Sequence, residues 1–177
     1  MIRPTLTAEE FVQARRELAD GGRWSELVAG ETVSLHPPSD KHGPVVLNIS
    51  KALAEYQEHT REGYACFELG LLVERDPDSV LCPAISYFVT GDCWEELDKA
   101  MTEARPALVV ELASTPDRRR NLAKKAQQYL AWGVVVVWII DPETETVVIW
   151  QNGRGATNLA RSEERRVGND GRSRWSP

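Results

Sequence analysis

The sequence has no apolar run long enough to cross a lipid bilayer. Its longest run, Val134 to Ile140, has only the length of a β-strand, and no signal-peptide pattern stands at its start. It also lacks a P-loop, a G-x-G-x-x-G pattern and a Ser-His-Asp order, so nucleotide-binding folds and triad hydrolases have no support. We therefore expect a cytoplasmic protein with no membrane segment and no nucleotide cofactor.

The sequence also has few cysteines and no excess of positive charge. The three cysteines, Cys66, Cys82 and Cys93, form no C-x-x-C pair and no metal-binding spacing with histidine, which favours reduced thiols in the cytosol. Lys and Arg number 21 against 27 Asp and Glu, giving a formal net charge of −6. This balance argues against nucleic-acid binding through bulk charge, although it allows a local basic patch.

The 177 residues, of which 42% are hydrophobic, suffice for one domain with a sizeable core. Residues 161–177 have no apolar periodicity and closely resemble the in-frame translation of a common sequencing adapter. We therefore predict a single domain over residues 1–160, with an apparently truncated C-terminus, and a tail that is not part of the fold. A disordered basic tail that contacts nucleic acid remains the alternative.

Local patterns predict a mixture of helices and strands. Thr7 and Glu10 form a capping-box pattern that opens a helix to about residue 20, and Ala29-Gly30 indicates a hairpin between two short strands. A polar, insertion-like segment spans 91–104, with a helical turn around 94–99. The remaining predicted elements are helices 44–60 and 116–132 and strands 65–74, 84–89, 107–113, 134–140 and 146–150. This order predicts an α/β or α+β domain with a mixed sheet.

The strand at 107–113 is apolar on both faces but carries Glu111. A buried carboxylate needs a partner or a metal. On the following helix, Lys125 lies at the flank of the buried face and can lean toward Glu111, whereas Lys124 points away. One interpretation is metal-assisted phosphodiester hydrolysis, with carboxylates holding Mg²⁺ and the lysine stabilising developing charge. The other is a structural Glu–Lys ion pair, and the residues alone leave both open.

Six segments, taken in their order and spacing, resemble the Uma2 (DUF820) family, a branch of the PD-(D/E)XK restriction-endonuclease-like superfamily. They are residues 24–31, His42-Gly43, residues 82–87, residues 109–114, Lys125 with Tyr129-Leu130, and residues 133–142. The resemblance covers about residues 7–150. It implies a restriction-endonuclease-like core, with a central mixed sheet flanked by helices and an N-terminal helix and hairpin. It also implies a metal-dependent DNA endonuclease with its site at a split between strands.

The resemblance assigns roles at the second half of the site. Glu111 matches a metal-binding acid, and the main-chain carbonyl of Leu112 is a further expected metal ligand. The lysine expected two residues after the acid is Ala113 here, and Lys125 stands where the family places a displaced lysine. We therefore predict Glu111 and Lys125 as the catalytic residues, with Mg²⁺ or Mn²⁺ as the cofactor.

The first half of the site departs from the family. Pro83-Ala84 matches the family's Pro-Asp, so the metal-binding aspartate is replaced by Ala84. Because Mg²⁺ is typically held through one or two carboxylates, we expect the metal to bind weakly if at all and the activity to be impaired. The nearby Pro77-Asp78 offers an alternative aspartate, although it lies in a predicted turn.

Four further residues are candidates for site or DNA contacts: Glu26 in the hairpin, His42 in a loop, and Arg118 and Arg119 in the only basic cluster near the site. Each also has a solvent-exposed interpretation. The resemblance makes DNA the expected partner and adds a homodimer as a hypothesis. The alternative function is a catalytically inactive DNA-binding or protein-interaction module on the same fold.

Overall fold

A computed structural model describes residues 5–89 and 95–159. The helices in these residues are α1 (Ala8–Arg15), α2 (His42–Thr60), α3 (Pro116–Arg120) and α4 (Leu122–Trp132), with a short 3-10 helix at Ala19–Gly22. The strands are β1 (Ser25–Val28), β2 (Glu31–Ser34), β3 (Tyr64–Phe67), β4 (Gly70–Glu74), β5 (Ser79–Leu81), β6 (Ile85–Phe88), β7 (Met101–Thr102), β8 (Leu108–Leu112), β9 (Val136–Asp141), β10 (Thr146–Gln151) and β11 (Gly155–Leu159).

The strands form two mixed sheets flanked by helices. The first sheet has the order β2-β1-β5-β4-β7, and the second has the order β11-β10-β9-β8-β6-β3. Each sheet contains one parallel pair, β4 with β7 and β8 with β9, among antiparallel neighbours. The predicted α/β class with a mixed sheet is confirmed, but its strands are divided between two sheets.

Strand β8 is buried on both faces, as its apolar sequence predicts. Val109 packs with Tyr129 of α4, whereas Val110 and Leu112 pack toward Ile49 of α2. Side chains alternate along a strand, so Glu111 shares the face of Val109 and points toward α4. The same core contains residues of β4 and β5, so α4 lies between the two sheets.

The N-terminal helix and hairpin are present, and their local signals act as expected. The Thr7 hydroxyl accepts the Glu10 N–H while the Glu10 carboxylate accepts the Thr7 N–H, which completes the capping box. The hairpin turn places Ala29 at φ 50° and Gly30 at φ 77°, a conformation suited to a two-residue hairpin. However, α1 ends at Arg15, earlier than predicted.

The predicted helix 116–132 is broken in two. Asn121, at φ −118°, interrupts it and separates α3 from α4. Thr115 makes no capping hydrogen bond to a main-chain N–H, because its hydroxyl donates to the Asp117 carboxylate instead. Gly133, at φ 119°, ends α4 as predicted.

Other boundaries also differ from the sequence pattern. The predicted strand 65–74 is divided into β3 and β4 at Glu68, which adopts φ 54°. The pattern did not predict β5, β7 or β11, and helix α2 begins at His42 rather than at residue 44. The helical turn predicted around 94–99, like Cys93 and the tail, falls wholly or partly outside the described residues.

Within 5–89 and 95–159, no helix is both long and apolar enough to span a membrane.

Candidate active site

Glu111 lies where the pairing of β6 with β8 ends. Ile85 is opposite Val110 in this antiparallel pair, and the register continued by one residue places Ala84 opposite Glu111. On its other side, β8 remains paired with β9 through Leu112. On the side of Ala84, the pairing of β8 with β6 therefore ends before Glu111, and we refer to this as the open end of β8.

Four side chains meet near this end of β8: Glu26, Glu111, Lys125 and Tyr129. The Lys125 ammonium lies 2.6 Å from Glu26 Oε1 and 3.4 Å from Glu111 Oε1. The Tyr129 hydroxyl donates to the same Glu111 Oε1 at 2.8 Å. The side chains of both carboxylates are 3–4% exposed and that of Lys125 is 12% exposed. We refer to these four residues as the buried cluster.

The residues of the buried cluster lie on three separate secondary-structure elements. Strand β1 carries Glu26, whose Oε1 also accepts the main-chain N–H of Cys82 at 3.1 Å. Strand β8 carries Glu111, and α4 carries Lys125 and Tyr129. Because these last two are four residues apart, they lie on one helical face. The predicted Glu111–Lys125 contact exists, but the shorter contact of Lys125 is with Glu26.

Burial and mutual charge decide the ionisation of the cluster. Burial acts to lower the pKa of Lys125, but the charges of Glu111 and Glu26 outweigh it and raise that pKa to about 12. Burial also raises the pKa of Glu111, against the opposing effect of the Lys125 charge. The pKa of Tyr129 rises well above its usual value because of burial and the charge of Glu111. At neutral pH, Lys125 is thus charged and Tyr129 is a hydrogen-bond donor.

A small cavity of about 10 Å³ adjoins the buried cluster and has room for about one water molecule. Its lining comes from both halves of the chain: Arg23, Trp24, Ser25, Glu26, Leu35, His42, Glu68, Cys82, Ala84 and Arg118. We refer to it as the inner cavity. It shares five of these residues, including Ala84 and His42, with a groove of about 460 Å³. The Ala84 position is therefore reachable from the surface.

His42, at the start of α2, lies on the wall of the inner cavity. Its Nδ1 is 3.1 Å from the hydroxyl of Ser114, two residues after β8. Burial, assisted by the positive charge of Arg118, lowers the pKa of His42, so the imidazole is neutral at pH 7. The structure thus brings this predicted candidate into the site.

The two arginine candidates, Arg118 and Arg119, have different surroundings. Arg118 lines the inner cavity, with its guanidinium 5.5 Å from the ring centre of Trp24. Its buried Nε has no hydrogen-bond partner among the described residues. Arg119 instead makes two hydrogen bonds to Asp141, at 2.9 and 3.0 Å. Arg118 also donates through Nη2 to the His36 carbonyl at 3.5 Å, so it lies at the wall of the inner cavity, whereas Arg119 is held at the end of β9.

Asp78 does not replace the missing aspartate. Its carboxylate accepts the main-chain N–H of Ala8 at 2.7 Å and pairs with Arg75 at 3.1 Å. This carboxylate therefore holds the start of α1, and the alternative assignment is wrong. Glu68 does line the inner cavity, but its carboxylate is paired with Arg23 at 2.6 Å.

The donor set fits a divalent cation only in part. Glu26, Glu111 and the main-chain carbonyl of Leu112, the last residue of β8, supply the hard oxygen ligands that Mg²⁺ prefers. Ala84 supplies no ligand opposite Glu111. Across the described ranges, no group of three or more His, Cys, Asp or Glu side chains is placed to hold a metal.

Sequence reasoning missed two features of this site. It treated Glu26 only as a candidate for a site or DNA contact, although the shortest contact of Lys125 is with Glu26. It placed Tyr129 on the buried face of its helix without assigning its hydroxyl to Glu111. The four-residue spacing of Lys125 and Tyr129, directly after a strand that buries an acid, is the signal that could have revealed the second contact.

Comparisons with known proteins identify the family of this chain. The sequence matches Uma2, described as "Putative restriction endonuclease", over residues 8–172. The chain belongs to the Uma2 family. The family resemblance drawn from the sequence motifs is therefore confirmed. No functionally curated protein matches this Uma2 sequence.

A solved structure shares the fold of this Uma2 chain. It is a crystal structure described as "a putative nuclease belonging to DUF820" from Anabaena variabilis, with 20% sequence identity and a TM-score of 0.70. The similarity covers 87% of this chain and 84% of the other. It supports the restriction-endonuclease-like fold class.

Proposed function

We propose that this Uma2 protein is a metal-dependent DNA endonuclease whose activity is impaired by Ala84. One observation carries the proposal. Glu26, Glu111 and Lys125 come from three different elements and converge in a buried site, and the inner cavity is lined by both Glu26 and Ala84, the position of the missing aspartate. Family membership supports a nuclease, and DNA is its expected substrate.

In this proposal the two carboxylates and the Leu112 carbonyl would hold Mg²⁺ or Mn²⁺. The bound cation would polarise the scissile phosphate and lower the pKa of a water nucleophile. Lys125, protonated at neutral pH, stabilises negative charge developing on the phosphate. Neutral His42 can accept a proton at the wall of the inner cavity, and Arg118 can contact a phosphate oxygen.

Ala84 is the reason for expecting impaired activity. An aspartate at this position would add a third carboxylate opposite Glu111, at the open end of β8. The methyl group present instead offers no oxygen. Lys125 pairs with both remaining carboxylates, which weakens their attraction for a divalent cation.

The pairing of Lys125 with both carboxylates favours a second candidate function. The Oε1 atom of each carboxylate has a cationic partner without any metal, as in a structural ion cluster. A catalytically inactive DNA-binding or protein-interaction module on this fold would need only such a cluster, with Arg118 and Arg23 at the surface. Cleavage by a repaired site distinguishes the two functions.

The experiment is a plasmid-cleavage assay in Mg²⁺ or Mn²⁺ on the full chain. It compares the parent protein, Ala84→Asp, and Ala84→Asp combined with Glu111→Ala. The matched control is Ala54→Asp, which introduces the same carboxylate at an exposed position of α2.

We expect an inert or very slow parent, cleavage by Ala84→Asp, and loss of that cleavage when Glu111→Ala is added. The control should behave as the parent does. If Ala84→Asp is folded and cuts no DNA, the endonuclease proposal is overturned. DNA binding by the parent that weakens in Arg118→Ala would then favour the inactive binding module.

A further inference from the structure

The two carboxylates of the buried cluster have different nearest donors. Lys125 is 2.6 Å from Glu26 but 3.4 Å from Glu111. The Tyr129 hydroxyl is 2.8 Å from Glu111. Hydrogen bonds to a charged acceptor are strongest near 2.7–2.9 Å and weak at the longer distance. The shortest contact of Glu111 is therefore with the tyrosine rather than with the lysine.

Tyr129 is also the more rigid of the two donors. Its side chain is fully buried and packs with Val109 and Val137 in the core between the sheets. Close packing of this kind fixes an aromatic ring in one orientation. Lys125 reaches the cluster on a flexible four-carbon stem. The position of the Tyr129 hydroxyl is therefore set by core packing, whereas that of the Lys125 ammonium is set by its ion pairs.

We propose that Tyr129 is the positioning residue for Glu111, while Lys125 mainly positions Glu26. Tyr129 holds Oε1 of Glu111, so the carboxylate keeps one orientation at the open end of β8 beside Ala84. The proposal rests on the nuclease function proposed above, because a fixed carboxylate matters for metal binding. It departs from the sequence-based pairing of Lys125 with Glu111.

A neutral donor suits this role for an electrostatic reason. A phenol orients a carboxylate without cancelling its charge, whereas an ammonium held on Glu111 would compete with a divalent cation. With Tyr129 as the nearest donor to Glu111, orientation comes from a neutral group, while the positive charge of Lys125, 2.6 Å from Glu26 and 3.4 Å from Glu111, acts on both acids. The arrangement therefore separates orientation from charge neutralisation.

The test uses the full chain with ¹³C-labelled glutamate carboxyl groups at pH 7. The Glu26 and Glu111 resonances are assigned by their loss in Glu26→Gln and Glu111→Gln. Tyr129→Phe should shift the Glu111 resonance more than that of Glu26, and Lys125→Met should do the reverse. The matched control is Tyr87→Phe, which removes a hydroxyl that donates to the Glu62 carbonyl at 2.6 Å, away from the cluster. It should shift neither resonance.

An activity measurement accompanies the spectra in the Ala84→Asp background. There, Tyr129→Phe should lower kcat for plasmid cleavage roughly ten- to hundredfold with little change in KM, the loss expected for one hydrogen bond to a charged group. Tyr87→Phe in the same background should keep the full rate. A fall in rate that Tyr87→Phe reproduces would overturn the positioning role.

The NMR spectra test the positioning role of Tyr129 even if no variant cuts DNA. In that case the nuclease proposal fails, and the Glu111 resonance still reports on Tyr129. The inference is overturned if the Glu111 resonance shifts more in Lys125→Met than in Tyr129→Phe. It is also overturned if each variant shifts the Glu26 and Glu111 resonances equally. If Tyr129→Phe does not fold, the Tyr129 ring resonances of the parent should move in Glu111→Gln and stay in place in Glu26→Gln. The opposite result overturns the inference.

Discussion

Glu26 and Lys125 are 99 residues apart in the sequence and form a nearly buried ion pair of 2.6 Å. The pair joins β1 of the first sheet to α4, which packs on the second. Glu111 shares the same ammonium, so one lysine serves two buried acids. The stability of the domain and the chemistry of the candidate site therefore depend on the same side chain.

Lys125→Met should destabilise the protein by about 3–5 kcal/mol, because it leaves Glu26 and Glu111 buried without their cation. Methionine preserves most of the apolar stem, so the loss reflects charge rather than volume. Urea unfolding at pH 7 measures the change. Lys124→Met, at the adjacent exposed position of α4, should stay within about 0.5 kcal/mol of the parent. Equal effects of the two substitutions would contradict the role of Lys125.

The sequence predicts the strand and helix of the site but not the arrangement within it. A carboxylate in an apolar strand and a lysine at the flank of the next helix are local patterns, and both Glu111 and Lys125 meet as expected. The pairing of Glu26 with Lys125 depends on how the two sheets pack. No periodicity along the chain reports that packing, so Glu26 could be placed near the site only through the family resemblance.

Competition between neighbouring polar groups removes the side-chain cap expected at the start of the helix after β8. Thr115 and Pro116 have the residue types of a helix start. The Thr115 hydroxyl donates to Asp117, whose carboxylate also accepts the His36 N–H from the other side of the site. A contact 81 residues distant therefore overrides the local cap, and sequence reasoning has no access to it.

Ala84→Asp should make the stability of the protein depend on metal. Without a divalent cation, the new carboxylate opposite Glu111 adds charge repulsion and lowers the free energy of unfolding. With Mn²⁺ at about 100 times its dissociation constant, binding to the folded state should add about 2.7 kcal/mol. Thermal unfolding with Mn²⁺ and with EDTA measures both effects.

The parent and the exposed Ala54→Asp control should show little difference between Mn²⁺ and EDTA. The same metal-dependent shift in Ala54→Asp would mean that the cation binds the protein surface. A parent that responds as strongly as Ala84→Asp would show that Glu26, Glu111 and the Leu112 carbonyl suffice to hold the metal.

Asp141→Asn should destabilise the protein at pH 7 and have progressively less effect in acid. The hydrogen bonds from Arg119 lower the pKa of the Asp141 carboxyl below its ordinary value. A lowered pKa in the folded state contributes stability above the unfolded value of about 3.9, and that stability is lost as the pH falls through the folded value. Urea unfolding of parent and variant at pH 7, 5 and 3 tests this direction.

The control for this titration is Asp40→Asn, an exposed residue in the loop before α2. It should change stability little at any of the three pH values. If the difference between parent and Asp141→Asn were the same at pH 7 and pH 3, the Arg119–Asp141 contact would not be the origin of the effect.

Gly63→Ala should destabilise the protein more than Gly153→Ala, although both glycines adopt the left-handed region at φ 81° and 77°. An alanine in that conformation costs about 1–2 kcal/mol wherever it occurs. At Gly63, a Cβ would also lie 2.5 Å from the Tyr87 ring and 2.6 Å from the Phe88 carbonyl oxygen, whereas nothing lies within 4 Å at Gly153. Overpacking against β6 should add about 1–3 kcal/mol at Gly63 alone. Urea unfolding of both variants measures the difference, and equal losses would mean that β6 moves aside at no cost.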